Sequence, residues 1–429
     1  MGRVRMSTGR NRSDRKRQPG AWRSGWSCGM LCVLLWAAGG CGIRTEEAAT
    51  ENLTELQVIY SSGDIRWTGS MEWVAEQFME ANPDIRVTLK APTDVEGQSF
   101  TDRLKAMIAQ DGFYDVVELR EAARFAGAGY LMPLPESLTD LLRPEEKGEQ
   151  VCYAIPRYTT TLGMIYDRGL FRRLGLSEPE SYEEFLDICE KIRQAGVSPV
   201  AVGGADLWHM GFWGNHLYQN EILDACEEAD WSKERTGEML KGFRSLSQEG
   251  YIEARFSTVS DSQTVQELSS GSAAMLYSGP WIIDQVLGLD PEKELGFFYL
   301  PGKDGRTRVP VDRSVTWGIS ARTAEDEARV EAAVRFLRFF YSEGIYEHVL
   351  AQMNAEPVTV RVLDGGETMA RQMVRKAAKE GMSYCDRLVG DAGTPDGFRS
   401  FYDQCLQEVL WGGTPVEDIA KELEERWER

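Results

Sequence analysis

Histidine is scarce in this chain, and the motifs of metal-dependent or nucleophilic catalysis are missing. Only three histidines occur among 429 residues, and the eight cysteines form no C-x-x-C pair. His209 and His216 could share a helix face, but no cysteine or acidic cluster accompanies them at ligand spacing. Beyond Cys41 there is no G-x-S-x-G, no H-E-x-x-H and no Gly-rich phosphate loop. We therefore expect no metal ion, no cofactor and no catalytic residue.

Positive charge is also scarce outside the N-terminal segment. The chain has 48 lysines and arginines against 68 acidic residues, which gives a net charge of −20. The first forty residues hold eight basic residues and one acid, so the remainder carries −27. Binding a nucleic-acid backbone needs a basic surface. The composition therefore excludes nucleic acid as a partner and indicates a well-solvated surface.

No apolar run reaches the length that spans a membrane, about 20 residues. The N-terminus instead has the layout of an export signal, with a basic region ending at Arg23 and an apolar region from about Met30 to Ala38. Ala38-Gly-Gly-Cys41 resembles the lipobox of bacterial lipoproteins; an ordinary signal peptide is the alternative. We predict a lipoprotein signal peptide over residues 1–40, lipidation at Cys41 and a polar tether over 41–54. The protein would then be extracytoplasmic, held by lipid at the outer face of the bacterial cell membrane.

The rest of the chain has a globular composition, 42% apolar and 27% charged over the whole sequence, and enough length for two domains. Short apolar strands alternate with amphipathic helices. The first examples are the strand Leu56–Tyr60, the loop Ser61–Trp67 and the helix Met71–Ala81. This alternation predicts an α/β fold with a mainly parallel sheet.

The stretch from Gly271 to Ile283 places a large aromatic residue where α/β proteins bind ligands. An apolar run of strand length, Ala273–Tyr277, ends at Gly279-Pro280, and Trp281 opens a segment of helical periodicity. The sequence therefore predicts a strand, a tight turn, Trp281 and a helix. Ligands in open α/β sheets sit at the carboxyl ends of strands, although a core position for Trp281 is the alternative.

Several short segments, spread over nearly the whole mature chain, together carry a family resemblance. They include Phe78-Met-Glu-Ala-Asn-Pro-Asp84, Tyr114-Asp-Val-Val117, Gly129-Tyr-Leu-Met-Pro-Leu134, Leu162-Gly-Met-Ile-Tyr-Asp167, Pro179 to Phe185, Gly271 to Trp281 and Trp317-Gly-Ile319. In this order and spacing the chain resembles the family 1 extracellular solute-binding proteins, the sugar-capturing lipoproteins of bacterial ABC importers.

The resemblance implies a two-lobed α/β fold of the type II periplasmic-binding-protein kind, with a ligand cleft between lobes that are joined by a hinge. Residues 55–160 would begin the first lobe and 161–301 would form mainly the second, with hinge crossovers at its ends. Residues 302–429 would return to the first lobe and supply C-terminal helices that brace both lobes. The family also implies a monomer that closes around its ligand and delivers it to the permease subunits of an ABC importer.

Sugars present apolar C–H faces and rings of hydroxyls, so a sugar site needs aromatic plates with carboxylates or amides. Several of the twelve tryptophans fall in predicted loops after strands, where ligand contact is common. In the family the residue at the place of Trp281 commonly stacks on a sugar ring. Trp317, Trp208 and Tyr158 are further candidates, although aromatic residues in loops also cover the core.

Four acidic residues at strand ends are candidate acceptors for sugar hydroxyls. These are Asp64, Glu118, Asp206 and Asp312. Ionised carboxylates accept strong hydrogen bonds, although each could instead be a turn or cap residue. Arg157 or Arg313 could bind an acidic sugar or pair with a carboxylate.

The sequence thus favours a carbohydrate ligand, with an oligosaccharide as the preferred kind, and leaves two alternatives open. Aromatic and acidic side chains also suit a cation through attraction to the ring faces, so a receptor for a polyamine or peptide is one alternative. A glycoside-active enzyme would show tryptophans and two carboxylates as well. The export signal and the order of segments along the chain favour binding.

Overall fold

The computed structural model describes residues 53–62, 64–92, 100–111, 114–144, 152–224, 228–360, 369–390 and 393–429. The predicted signal peptide, Cys41 and nearly all of the tether lie outside these residues. The strands are β1 Thr54–Ile59, β2 Ile85–Lys90, β3 Val116–Leu119, β4 Ala154–Pro156, β5 Thr160–Thr161, β6 Gly163–Asp167, β7 Ser198–Ala201, β8 Leu223–Asp224, β9 Glu228–Ala229, β10 Ala273–Ser278, β11 Leu295–Phe298, β12 Arg308–Asp312, β13 Thr316–Ile319 and β14 Ser383–Cys385.

The α-helices of the described ranges fill the connections between these strands and the C-terminal region. They are α1 Ile65–Ala81, α2 Phe100–Asp111, α3 Ala122–Gly127, α4 Glu136–Thr139, α5 Arg168–Leu174, α6 Tyr182–Gln194, α7 Leu207–Leu217, α8 Lys233–Gln248, α9 Asp261–Ser270, α10 Trp281–Leu289, α11 Glu327–Phe340, α12 Ile345–Met353, α13 Met369–Lys379, α14 Phe398–Trp411 and α15 Val416–Trp427.

Two separate sheets organise the molecule. The first has the strand order β2-β1-β3-β13-β4, and the second has the order β11-β6-β10-β7. Each sheet contains parallel pairs, β1 with β2 and β3 in the first and β10 with β7 in the second. Each also carries antiparallel strands, β13 in the first and β6 in the second, so the sheets are mixed rather than mainly parallel as predicted.

The chain passes between the sheets through a third, three-stranded sheet of order β14-β12-β5. Strand β5 precedes β6 of the second sheet, and β12 follows β11 and precedes β13 of the first sheet. Because β5 and β12 pair antiparallel, the outgoing and returning segments run side by side. This arrangement is the two-lobed α/β architecture that the family resemblance implies.

Each sheet is covered on both faces by helices, as its alternating side chains require. Helices α1, α11 and α12 pack on one face of the first sheet, with Phe78, Phe336 and Phe340 fully buried. In the second sheet, Met164 and Tyr166 of β6 face one core, while Ile165 between them faces the other. Helices α14 and α15 pack chiefly on α7 and α8 in the second lobe.

The N-terminus of α1 differs from the prediction in a way that shapes the site. The sequence predicts a loop to Trp67 and a helix from Met71, but α1 begins at Ile65. Asp64 is its N-cap residue, with a carboxyl oxygen that accepts from the backbone N–H groups of Arg66 and Trp67 at 2.7 and 3.3 Å. A side-chain cap of this kind satisfies amides that otherwise lack an acceptor, which allows the helix to start earlier.

Candidate functional site

A cavity of about 410 Å³ lies between the two lobes. Its wall combines residues that follow β1 and β3 of the first sheet with residues of α7, α10 and α14 from the second lobe. This volume is within the range of small-molecule sites, roughly 300 to 1,000 Å³. Among the residues that the structure describes, six aromatic side chains line it: Trp67, Phe100, Tyr158, Trp208, Phe212 and Trp281.

The second lobe contributes a row of three aromatic rings. The centre of the Phe212 ring lies 5.6 Å from that of Trp281 and 5.4 Å from that of Trp208, both in edge-to-face orientation. Trp208 is 38% exposed and Trp281 is half-buried. Residues 208 and 212 are one helical turn apart on α7, which places their side chains on the same face. The row is an apolar wall of the kind that packs against sugar C–H faces.

The predicted strand, turn and helix around Trp281 are confirmed. All six residues of β10 are buried, and α10 begins at Trp281 itself. Gly279 is required by the position of the indole ring, because a Cβ atom at residue 279 would lie 1.7 Å from Trp281 Cζ3. Trp281 also packs against three of the hydrophobic cores, in both lobes. It is therefore at once a cavity residue and part of the packing between the lobes.

Glu118 organises the first-lobe side of the cavity. It is 2% exposed and accepts from Ser61 Oγ at 2.5 Å and from Trp67 Nε1 at 2.8 Å. Arg157 Nη1 lies 3.2 Å from Glu118 Oε1, and its guanidinium group lies 4.2 Å from the Trp67 ring centre and 4.6 Å from that of Tyr158. Cation–π contacts and the ion pair therefore hold these groups together as a unit.

Asp312 forms a second acidic position, where β12 ends. Its Oδ1 accepts from the Ser314 backbone N–H at 2.8 Å and from Ser314 Oγ at 2.7 Å, while Arg120 lies 3.7 Å from Oδ2. Burial opposes ionisation, but the charge of Arg120 and the Ser314 hydrogen bonds outweigh it and lower the pKa of Asp312. Asp312 is therefore a fixed anion in the wall.

Asp64 and Asp206 lie at the N-termini of α1 and α7, on opposite lobes. Burial raises the pKa of Asp64, although its backbone hydrogen bonds and Arg157 oppose that effect. Asp206 Oδ2 accepts from the backbone N–H of Asp261 at 2.7 Å. Asp64 Oδ2 also accepts from Gln285 of α10 at 3.4 Å, so one of these acids connects the lobes.

The structure thus brings together seven of the eight predicted ligand residues along one cavity: Asp64, Glu118, Tyr158, Asp206, Trp208, Trp281 and Asp312. Trp317 is the exception and corrects the prediction. It lies on β13 in the interior of the first sheet, is 0% exposed, and packs 6.0 Å from Trp67 and 5.8 Å from Phe340 between ring centres. Its side chain points into the core rather than into the cavity. Arg313 also lies outside the cavity and pairs with Asp386 at 3.0 Å.

Several cavity residues are not predicted from the sequence. Phe212 could have been found from its spacing to Trp208, and Arg120 from its position directly after β3. Arg399 and Asp403 of α14 carry no such signal, because an Arg and an Asp four residues apart are typical of an exposed helical ion pair. Here both side chains are largely buried, with Arg399 Nε 4.0 Å from Asp403 Oδ2.

The described residues contain no group of three or more His, Cys, Asp or Glu side chains placed to hold a metal ion. Across the same ranges, none of the helices combines the length and hydropathy that a bilayer crossing requires.

Comparison with known proteins agrees with this architecture. Residues 68–347 match the model of the bacterial extracellular solute-binding proteins, and the chain belongs to that family, as the sequence predicts. The multiple sugar-binding protein of Streptococcus mutans is 20% identical over 375 residues, covering 82% of this chain and 85% of that protein.

Solved structures of other proteins share the fold. A chitin oligosaccharide binding protein superposes with a TM-score of 0.76 at 21% identity, over 88% of this chain and 100% of its own. A sugar transporter of Bacillus licheniformis, solved in complex with stachyose, superposes with a TM-score of 0.74 at 17% identity, over 87% of this chain and 100% of its own. The two-lobed periplasmic-binding-protein fold is therefore confirmed.

Proposed function

We propose that this protein captures a carbohydrate, most suitably a neutral oligosaccharide, in the cavity between its lobes and delivers it to the membrane permease of an ABC importer. The observation that carries the proposal is the pairing of an aromatic row with carboxylate acceptors across one cavity. Trp281, Phe212 and Trp208 offer apolar surface, and Glu118, Asp206 and Asp312 offer carboxylates. Relatives named for sugar binding, and the neighbour holding stachyose, support the same ligand class.

The extent of the aromatic row supports a ligand with more than one sugar ring. The aromatic row extends over three side chains on α7 and α10, so successive rings of a chain could each meet an apolar surface. Tyr158 and Asp64 would contact ligand from the first lobe. Closure of the lobes would then bury the ligand between the two sets of residues.

Export and lipid attachment complete the proposal. We propose that residues 1–40 are removed and that Cys41 becomes a lipidated N-terminus at the outer face of the bacterial cell membrane, with the folded body as a monomer. The lipobox-like Ala38-Gly-Gly-Cys41 supports this location. Mass spectrometry of the mature protein would test it: a diacylated Cys41 is expected, and an unmodified N-terminus elsewhere would contradict it.

Binding without turnover separates this function from its alternatives. A thermal-shift screen of the chain from Gly42 should include neutral oligosaccharides, polyamines and short peptides, because a compound that binds only the folded state raises Tm. We expect stabilisation by an oligosaccharide, with no cleavage products after long incubation. Stabilisation by a polyamine or peptide alone would show a different ligand class, and release of shorter sugars would show an enzyme.

A further inference from the structure

One acidic residue of the cavity wall differs from the others in its hydrogen bonding. Asp403 of α14 is 6% exposed and lines the cavity. Glu118, Asp206 and Asp312 each accept from protein donors, but the Asp403 carboxyl accepts no hydrogen bond from any described residue. Its nearest cation is Arg399, with Nε 4.0 Å from Oδ2. Burying a carboxylate in this way is costly unless donors reach it.

The packing of α7 against α14 is shaped around this acid. A Cβ atom at Gly211 would lie 3.2 Å from Asp403 Oδ2, and one at Gly214 would lie 3.2 Å from Oδ1. Two glycines one turn apart thus leave space for the carboxyl group within a helix. Glycine lowers helix stability relative to alanine, so the space for this acid is made at a cost to α7.

The neighbouring arginines are held by the protein itself. Arg399 Nη1 donates to the carbonyl oxygen of Val389 at 3.1 Å, and Arg120 donates to Ser314 Oγ beside Asp312. Because these arginines donate to other acceptors, the Asp403 oxygens can accept hydrogen bonds from a ligand. A sugar hydroxyl is a suitable donor because it adds no charge.

The charge balance of the cavity disfavours an anionic ligand. Among the described residues the wall contains six acids (Asp64, Glu118, Glu121, Asp206, Asp312 and Asp403) and four arginines (Arg103, Arg120, Arg157 and Arg399). With all of them ionised the wall is net negative, so an anionic ligand would add repulsion.

We propose that Asp403 is a ligand-contacting residue whose carboxylate accepts hydrogen bonds from hydroxyl groups of a neutral saccharide at the α14 side of the cavity. This inference rests on the proposed function. Helix α14 lies beyond residues 68–347, the range that matches the family model, so family membership does not assign this contact.

The contact has a consequence for the pH dependence of binding. Burial raises the pKa of Asp403 to about 7 in the free protein, although Arg399 and Arg120 oppose that effect. Hydroxyl donors favour the ionised form, so binding lowers this pKa and releases a proton. Affinity should therefore rise as pH increases from 6 to 8.

Three other titratable groups near Asp403 keep one charge state between pH 6 and 8 because burial shifts their pKa values away from this range. Burial raises the pKa of Tyr402 and raises that of Cys405 to about 12. On α7 the facing residues are glycines; His216 remains neutral because burial lowers its pKa to about 3. His209 of the same helix is bonded to Asp261, with Nδ1 2.9 Å from Oδ1.

Calorimetric titration of the mature chain and of Asp403→Asn at pH 6, 7 and 8 tests the inference. The probes are stachyose, raffinose, maltotriose and a chitin trisaccharide, with an oligogalacturonate as the anionic comparison. Glu408→Gln is the control, because it removes a charge from the same helix outside the cavity and keeps an acceptor for Thr414. Tm at pH 6 verifies folding of each variant.

We expect wild type and Glu408→Gln to bind a neutral probe several-fold more tightly at pH 8 than at pH 6. Asp403→Asn should bind about tenfold more weakly at pH 8 and show little pH dependence. Equal affinity and equal pH dependence in Asp403→Asn would overturn the inference alone. Absence of binding by wild type to every saccharide would overturn the proposed function and the inference with it. Tighter binding of the oligogalacturonate, weakening as pH rises, would overturn the assignment to a neutral ligand.

Discussion

The ionisation of Asp403 also affects the stability of the folded chain. An aspartate in an unfolded chain has a pKa of about 3.9, whereas burial raises the pKa of Asp403 to about 7. Between these values the folded state binds more protons than the unfolded state. Stability should therefore fall as pH rises from about 4 to 7 and then level off, because the pKa in the folded state is the higher of the two.

Asp403→Asn should remove this loss of stability. We expect the variant and the wild type to have similar Tm values near pH 4, and the variant to be more stable by several degrees at pH 8. The effect is on the order of a few kcal/mol. Thermal denaturation of both proteins across this pH range measures it. A Tm difference that does not change with pH would contradict a raised pKa: it would show that Asp403 titrates in the folded protein as an exposed aspartate does.

Individual residues show the limit of prediction from the sequence alone. Glu118 lies near the end of β3 and Asp64 lies in the connection after β1. These strands are parallel neighbours in one sheet, so their carboxyl ends meet at one edge and the common location of the two acids is predictable. Trp317 is also near a strand end, but the face to which its side chain points depends on the neighbouring strands β3 and β4. Arg399 and Asp403 reach the cavity only because α14 packs on α7, which no local pattern indicates.

At the scale of elements, the turn between β10 and α10 positions the indole ring of Trp281. Gly279→Ala would place a methyl group 1.7 Å from the ring, so the ring must move. We expect at least tenfold weaker binding of the oligosaccharide that stabilises wild type in the thermal-shift screen, as measured by calorimetry. Gly288→Ala on α10 is the matched control, because a Cβ atom at residue 288 would meet no atom within 4 Å. That control should keep wild-type affinity and gain up to about 1 kcal/mol of stability.

Equal binding by the two glycine variants would contradict a defined role for the turn.

The strand, turn and helix around Trp281 could be predicted because their signals are local: an apolar run, a Gly-Pro turn and helical periodicity. The predicted start of α1 is wrong because the capping bond from Asp64 allows the helix to begin earlier, in a stretch that contains Gly69 and lacks strong periodicity. The order of strands within the two sheets, and their mixed direction, depend on pairings between distant segments.

At the scale of the whole molecule, polar contacts connect the lobes at the edge of the cavity. Arg66 of α1 pairs with Asp284 of α10 at 3.0 Å, and Asp64 accepts from Gln285 beside it. Helix α1 packs on the first sheet and α10 on the second. The pair therefore stabilises the approach of the lobes rather than the fold of either one.

Arg66→Ala should weaken ligand binding by roughly two- to fivefold, mainly through faster dissociation, because exposed ion pairs contribute about 0.2–1 kcal/mol. Arg335→Ala is the control: its partner Asp84, at 2.8 Å, lies in the same lobe. Stopped-flow dissociation of the oligosaccharide selected by the thermal-shift screen measures the difference. An equal effect of both variants would show that the Arg66 pair contributes only general stability.

The most direct measurement is calorimetric titration of the mature chain, Trp281→Ala and Trp411→Ala with the same panel of neutral oligosaccharides. Trp411 is 69% exposed and lies outside the cavity, so it serves as the control. Saturable one-to-one binding of one oligosaccharide is expected, at least tenfold weaker in Trp281→Ala, or about 1.4 kcal/mol, and unchanged in Trp411→Ala. Binding that is insensitive to Trp281, or no binding of any oligosaccharide by the wild type, would contradict carbohydrate capture in this cavity.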